Sequence, residues 1–192
     1  MPVSSKIEAP APHQLDRVIE FVNTFDPDTD VDELSSPTGL HEWLTDRALL
    51  GPGSTQIREP ERRQAIRLRE ALRAVMLAHN GLDLDPEAAA ELDRVAQAGR
   101  LSVQFAADGS ATLRPRAQGF AGALAGLLAS VAEADADGSW QRAKACRAED
   151  CHWAFYDHSR NRSGVWCDMA VCGNRTKVRA YRAARRPPAP RP

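Results

Sequence analysis

The sequence predicts a mainly α-helical protein with a small cysteine-rich module near its C-terminal end. Three observations support this prediction. Apolar residues recur at helical spacing along most of residues 13–138, one stretch of 16 residues alternates as a β-hairpin does, and all four cysteines fall within 27 residues. A chain of 192 residues can therefore hold one domain of ordinary size and one small module.

Five segments before the cysteines are predicted to be helices. The clearest begins near Pro60, places Leu68 and Leu72 on a broad apolar face, and stops at Asn80-Gly81. Asp85 followed by Pro86 predicts the start of the next helix, because aspartate caps a helix well and proline fits its first turn. The five segments are residues 15–25, 40–50, 60–80, 86–98 and 118–134.

Residues 101–116 alternate around an Asp-Gly turn, which predicts one small hairpin with Leu101, Val103 and Phe105 on one face. The stretch ADADGS, residues 134–139, predicts a linker to the cysteine module. The resulting division is a disordered lead (1–12), a helical domain (13–138), a finger with a basic helix (139–187) and a disordered tail (188–192).

The charge is divided between the two parts of the chain. From Gln141 onward there are 12 Lys or Arg against 4 Asp or Glu, which leaves 13 basic and 22 acidic residues before it, so the two parts carry net charges of +8 and −9. Such asymmetry indicates an acidic body with a basic end that meets a polyanion. The N-terminal residues lack the apolar core of a secretory signal, and we expect a cytoplasmic protein that does not enter a membrane.

The cysteines form two pairs of equal spacing, C-x4-C-x15-C-x4-C. Two close pairs of soft ligands suit one tetrahedral, structural Zn2+, and a reducing compartment favours metal binding over disulfides. Two disulfides, or a zinc site that releases its metal on oxidation, stay open as alternatives. His152 and His158 could also act as ligands, but with four cysteines in register we expect them to be surface or supporting residues.

The segment between the pairs holds Trp153, Phe155, Tyr156 and Trp166 for a small core around the metal, and a Ser/Arg/Asn/Gly-rich turn that predicts a hairpin between the ligand pairs. Because the second pair leads straight into a predicted helix, the module is expected to be treble-clef-like. The expected fold is thus mainly α: a helical N-terminal domain with one small hairpin, then a treble-clef-like zinc finger with a hairpin and a basic helix.

The predicted helix after the last cysteine, residues 174–186, places arginines along one face, with Val171, Val178 and Tyr181 available to pack it onto the finger. Arginine neutralises phosphates and is the usual reader of guanine in the major groove. The alternative is a solvated basic tail that contributes no specificity. The face comprises Arg175, Arg179, Arg182 and Arg186.

Cys172-Gly173-Asn174-Arg175 spells the signature of the CGNR zinc finger, and the context C-x4-C-x-W-x-F-Y-D, S-R-N and W-C-x-M-x-x-C-G-N-R-x-K resembles that family closely. Asn23-Thr24 after Phe21-Val22, with Trp43-Leu44 downstream, resembles the ABATE domain that accompanies this finger. The two resemblances together cover nearly the whole chain.

The resemblance implies a bacterial, stress-related regulator of transcription that binds double-stranded DNA, with Cys146, Cys151, Cys167 and Cys172 as ligands of one zinc ion. Gly164 and Val165 stand where many members have two arginines, which shifts the DNA contacts to other residues. Asn174 could cap the helix or bond the sulfurs, and Arg175 could brace Asp157 instead of touching DNA. The predicted DNA contacts are Arg160, Arg162, Arg175, Lys177, Arg179, Arg182, Arg185 and Arg186.

The body shows no pattern typical of a catalytic site, so we expect a protein that is not an enzyme. Asn23, Thr24, His41 and Trp43 are predicted to line a small-molecule pocket, with ordinary packing as the alternative. The body would then sense an effector, or form a homodimer. The alternative for the whole chain is an adaptor whose finger binds protein or RNA.

Overall fold

The computed structural model describes Ala11, residues 13–51 and residues 53–185. The predicted lead, apart from Ala11, and the predicted tail lie outside these residues. Six α-helices and three two-stranded antiparallel sheets are found in the described part of the chain. The helices are α1 (His13–Val22), α2 (Pro37–Asp46), α3 (Glu59–His79), α4 (Pro86–Ala98), α5 (Gly119–Ala136) and α6 (Asn174–Ala184).

The strands form three pairs along the chain. They are β1 (Phe25–Asp26) with β2 (Val31–Asp32), β3 (Leu101–Phe105) with β4 (Ala111–Pro115), and β5 (Ala143–Ala145) with β6 (Ala154–Tyr156). The predicted class, mainly α with a small hairpin in the body and a hairpin and helix in the finger, is confirmed. The short β1–β2 pair was not predicted, because two-residue strands within an acidic loop leave no alternation to detect.

The helix ends follow from local chemistry. Asp85 caps α4 by accepting a hydrogen bond from the backbone N–H of Glu87 at 2.9 Å. Ser36 caps α2 in the same way through the N–H of Gly39 at 3.0 Å, with Pro37 in the first turn. This cap places the start of α2 three residues before the apolar pattern that predicted it.

The core lies between α1, α3 and α5, with α2 and α4 closing its sides. Leu124 and Leu127 of α5 are fully or almost fully buried and belong to the same core as Leu68 and Leu72 of α3. By length and composition alone α5 is apolar enough to cross a membrane, and several of its buried leucines and alanines belong to this core.

The predicted hairpin at residues 101–116 is confirmed, with Val103 paired to Leu113 and Phe105 to Ala111. The finger hairpin is also present, but not between the two cysteine pairs as expected. Its strands β5 and β6 flank the first pair, Cys146 and Cys151. The position was wrong because β5 is a three-residue strand, Ala-Lys-Ala, and no alternating pattern marks it.

The predicted linker ADADGS is not an extended segment. α5 continues to Ala136, and a tight turn follows in which the N–H groups of Gly138 and Ser139 donate to Asp135 and Ala134 at 3.1 and 2.9 Å. A 3-10 turn, Trp140–Arg142, then leads directly into β5. Trp140 is 5% exposed and belongs to the main core. The junction between body and finger is therefore packed in the core of the body.

Candidate metal centre and basic helix

Four sulfur atoms come together in the finger. The Sγ atoms of Cys146, Cys151, Cys167 and Cys172 all lie within 4.8 Å of one another, and three of the four side chains are buried. Cys167 Sγ lies 3.6 Å from Cys151 Sγ and 3.7 Å from Cys172 Sγ, and the four thiols are free of disulfides. This is a closed S4 set, the donor chemistry that selects a tetrahedral structural zinc.

The electrostatics of the sulfur cluster favour a bound cation. Hydrogen bonds from the thiols of Cys151 and Cys167 lower the pKa of Cys146 well below its usual range. The pKa of Cys167 is raised, mainly because its thiol donates hydrogen bonds to Cys146 and Cys151. The pKa of Cys172 is also raised, mainly by burial. Four thiolates cannot coexist in this space without a positive charge between them, which a divalent ion supplies. The cluster is therefore consistent with one structural zinc.

Tight turns of the backbone position the cysteines. Cys146 and Cys151 lie on the turn between β5 and β6, closed by the hydrogen bond from Cys151 N–H to the Ala148 carbonyl at 2.9 Å. Cys172 lies in a π-helical turn, Met169–Gly173, that Asp168 caps by accepting from the N–H groups of Ala170 and Val171 at 2.7 and 3.1 Å. α6 begins immediately after this turn.

The aromatic residues of the finger do not form one core. Trp153 and Trp166 pack against the sulfur cluster, whereas Tyr156 packs against the main core of the body. Neither His152 nor His158 belongs to the metal-binding cluster found among the described residues. The carbonyl oxygen of His152 accepts a hydrogen bond from Arg73, and His158 lies with its ring 4.8 Å from that of Tyr156.

A buried ion pair supports the finger from within. Lys144 Nζ donates to Asp157 Oδ2 at 2.7 Å, and also to the carbonyl oxygens of Arg162 and Gly164 at 2.6 and 3.0 Å. Burial acts to raise the pKa of Asp157, but hydrogen bonds from Lys144, Ser159 and Gly164 outweigh it and lower this pKa to about 2. Asp157 is 3% exposed, so its charge contributes about 2 kcal/mol at neutral pH, which is lost as the pH falls from about 4 to 2.

Gly164 is required by this ion pair. A Cβ atom at this position would lie 2.7 Å from Oδ1 and 2.8 Å from Cγ of Asp157. The absence of a side chain at Gly164 thus lets the loop close over the buried carboxylate.

α6 projects from the finger, and none of its side chains is buried. The expectation that Val171, Val178 and Tyr181 pack this helix onto the finger is wrong, because they are 49%, 47% and 57% exposed. The small core of the finger gathers around the sulfur cluster and the two tryptophans, and these three side chains are not part of it.

The first two arginines of α6 contact carboxylates. Arg175 Nη1 lies 3.3 Å from Asp28 Oδ1 and 3.4 Å from Asp150 Oδ2, and its Nη2 donates to Cys172 Sγ at 3.5 Å. Arg179 Nη2 donates to Asp150 Oδ2 at 2.6 Å. Arg175 therefore acts as a brace, but on Asp28 and Asp150 and not on Asp157, whose carboxylate is occupied by Lys144.

The other predicted DNA contacts lie on the surface in different settings. Lys177 and Arg182 are exposed on α6, and Arg185 is exposed directly after it, with its guanidinium 4.5 Å from the centre of the Tyr181 ring. Arg160 and Arg162 are exposed on the loop after β6, and Arg186 lies outside the described residues. Asn174 neither caps α6 nor bonds a sulfur, since its Nδ2 donates to the Ala170 carbonyl at 3.0 Å.

The residues predicted to line a pocket in the body have other contacts. Asn23 exchanges two hydrogen bonds with the backbone of Ala154, and Thr24 Oγ1 donates to the Phe21 carbonyl at 2.8 Å. Trp43 is buried with its ring 5.3 Å from that of Phe21. The surface clefts around the described residues include four of 340 to 510 Å3, and none of these four is lined by Asn23, Thr24, His41 or Trp43. Ligand binding at these residues stays a prediction.

Several residues that the sequence did not identify dock the finger on the body. Asn80 Nδ2 donates to the carbonyl oxygens of Ala145 and Val165, both at 2.8 Å, and His79 Nδ1 lies 2.9 Å from that of Ala143. Arg73, which is 5% exposed, donates to the carbonyl oxygens of His152 and Val22. The available sign in the sequence was an arginine that shares a helix face with apolar residues, since arginine is rarely placed there without a polar partner.

Comparison with known families agrees with this architecture. The model of the family ABATE, whose description is "Putative stress-induced transcription regulator", matches residues 15–138. The model of the CGNR zinc finger matches residues 142–185. Both resemblances inferred from the sequence are thereby confirmed, and both families are regulator or zinc-finger types and not enzyme types. The curated proteins contain no significant match to the chain.

Proposed function

The chain belongs to the ABATE family and ends in a CGNR zinc finger, and from this premise we propose that it regulates transcription by binding double-stranded DNA through α6. The observation that supports the proposal is the exposure of α6. The helix follows the turn that holds the last cysteine, buries none of its side chains and presents Lys177 and Arg182 to the solvent, with the exposed Arg185 directly after its last residue. Basic side chains held on one helix by a rigid metal site are suited to phosphate contacts.

In this proposal the zinc ion, held by Cys146, Cys151, Cys167 and Cys172, has a structural role. Its four sulfur ligands leave no open coordination position for a substrate or a water molecule. The ion would fix the π-helical turn on which α6 begins, and so the direction of the helix. Arg160 and Arg162 would add phosphate contacts from the neighbouring loop. Such a protein would act in the cytoplasm, on the nucleoid.

The test is the binding of labelled duplex DNA to zinc-loaded protein over a range of salt concentrations. Each phosphate neutralised adds about −0.9 to the slope of log K against log salt, so the double variant Arg182→Ala/Arg185→Ala should bind more weakly and with a slope shallower by about 2. The matched control is Arg17→Ala/Arg114→Ala, which removes the same charge from exposed residues of the body. Absence of duplex binding at low salt, or an equal loss in the control, would refute the proposal.

A second function is supported by a different feature of the same helix. Val171, Val178 and Tyr181 form an exposed apolar strip beside the arginines, which an adaptor that binds protein or RNA could use. Zinc-loaded protein that retains single-stranded RNA but not duplex DNA would favour this alternative.

We assign to the body the sensing of a small-molecule effector or the formation of a homodimer. Support for a dimer comes from the β3–β4 hairpin, where Val103 and Phe105 are 55% and 76% exposed on the same face. Light scattering should then give twice the chain mass for the wild type and the chain mass for Phe105→Ser. A sensor would instead show a thermal shift with a member of a metabolite panel, and Asn23, Thr24, His41 and Trp43 are the residues to vary.

A further inference from the structure

Two carboxylates from distant parts of the chain meet the first turns of α6. Asp150 lies on the turn that carries the first cysteine pair and contacts both Arg175 and Arg179. Asp28 lies between β1 and β2 of the body, 147 residues from Arg175 in the chain, and contacts Arg175 at 3.3 Å. We call Asp28 and Asp150 the acidic clamp.

The clamp occupies the groups that a DNA phosphate would need. A guanidinium pairs with a carboxylate or a phosphate through the same N–H donors. The clamp carboxylates therefore compete with a DNA phosphate for Arg175 and Arg179. The side chains of Asp28, Asp150 and Arg175 are 31%, 36% and 29% exposed, so water and a phosphate can reach them. Contacts of this exposure are individually weak, and a competing polyanion can therefore displace them.

The two carboxylates differ in what positions them. Asp150 belongs to the finger, because its neighbour Cys151 is part of the sulfur cluster. Asp28 belongs to the body, since its loop follows α1 and leads to Asp32, whose carboxylate pairs with the buried Arg69 at 2.7 Å. The Asp28–Arg175 contact therefore joins the body to the first turn of α6.

We propose that the acidic clamp holds Arg175 and Arg179 away from DNA, and that loss of the Asp28 contact weakens the hold on Arg175 and raises the affinity of α6 for duplex DNA. This inference rests on the proposed DNA-binding function. In the clamped state Lys177, Arg182 and Arg185 make the helix contacts. In the released state Arg175 adds a phosphate contact at the start of the helix.

The experiment compares two neutralising variants with two matched controls in the zinc-loaded full chain. Asp28→Asn and Asp150→Asn each remove one arm of the clamp and keep the side-chain shape. Asp30→Asn and Glu149→Gln remove the same charge from exposed neighbours on the same two loops. Because all four change the net charge equally, a general electrostatic effect would be common to them.

We expect the clamp variants to bind labelled duplex DNA about two- to fivefold more tightly than their controls. Their salt slope should be steeper by about 1, the contribution of one added phosphate contact. Equal affinities for Asp28→Asn and Asp30→Asn, and for Asp150→Asn and Glu149→Gln, would overturn the proposal.

A second measurement separates the clamp from the DNA-binding function. Amide hydrogen exchange in residues 175–179 should be faster in Asp28→Asn than in Asp30→Asn without DNA, because the clamp tethers this part of α6. Unchanged exchange would refute the tether. If exchange is faster but neither protein binds duplex DNA, the DNA-binding function is refuted, and with it the regulation.

Discussion

Asn23 at the end of α1 pairs with the backbone of Ala154 in β6 through both atoms of its side-chain amide. Asn23 Oδ1 accepts from the Ala154 N–H at 2.8 Å, and Asn23 Nδ2 donates to the Ala154 carbonyl at 2.9 Å. The amide thus satisfies the backbone groups on the free side of a fully buried strand residue. One side chain of the body completes the hydrogen bonding of the finger hairpin.

Replacing Asn23 by alanine should destabilise the whole chain. The change leaves the buried N–H and carbonyl of Ala154 without partners, which costs about 2 kcal/mol. Denaturant unfolding of zinc-loaded protein measures the loss. Asn161→Ala, at an exposed position on the loop after β6, is the control and should change the free energy of unfolding by less than about 0.5 kcal/mol. Equal stability of the two variants would show that the Asn23 contact contributes nothing.

The contact between Gly164 and Asp157 predicts a cost for a single methyl group. In Gly164→Ala the new Cβ would lie 2.7 Å from Asp157 Oδ1, so the carboxylate must move from Lys144 or the loop must open. We expect a loss of about 2 kcal/mol. The control is Gly126→Ala in α5, where a Cβ meets nothing within 4 Å and the helix gains up to about 1 kcal/mol. Thermal melts of the two variants should therefore shift in opposite directions.

Protonation of His79 should weaken the fold in mildly acidic solution. Burial lowers the pKa of this ring below 6.5 in the folded protein, although the hydrogen bond to the Ala143 carbonyl acts in the opposite direction. Below pH 6.5 the unfolded chain therefore binds a proton that the folded chain resists, and stability falls as the pH falls.

The measurement is urea unfolding at pH 7.5 and 5.5 for the wild type and His79→Gln. Acid also weakens zinc binding, but that loss is common to both proteins. The wild type should lose more stability than the variant over this interval. An identical loss would show that His79 does not couple folding to pH.

Removal of zinc should destabilise the body as well as the finger. Ala143, Ala145 and Ala154 of the finger hairpin belong to the main core, so loss of the sulfur-bound metal loosens part of that core. We expect one zinc per chain by elemental analysis. A chelator should lower the temperature at which the helices unfold, as followed by circular dichroism. Added zinc should restore it. A body that melts at the same temperature with and without metal would contradict this coupling.

Much of the architecture follows from local patterns in the sequence. The apolar spacing of α3 and the Asp85-Pro86 start of α4 lie within the residues that form those helices, and the Asp-Gly turn predicts its own hairpin. The sulfur cluster is predictable for a similar reason, because two pairs with the same spacing and a following helix suffice to indicate one metal site.

The interface between body and finger could not be predicted in this way. Asn23 contacts Ala154, which is 131 residues away in the chain, and Asn80 contacts Val165, which is 85 residues away. No local sequence pattern predicts such contacts. The exposure of Val178 and Tyr181 is equally non-local. A helix pattern shows which residues share a face, but not whether another element covers that face.

The sequence by itself determined the helices, the body hairpin, the four-cysteine metal site and the basic character of the last helix, because each depends on residues close together in the chain or on a repeated ligand spacing. Only the tertiary structure decided how finger and body are joined, and which arginines of α6 contact carboxylates. Those outcomes depend on where Asp28, Asn23 and Asn80 lie in space, and the chain brings these residues to the finger only when it folds.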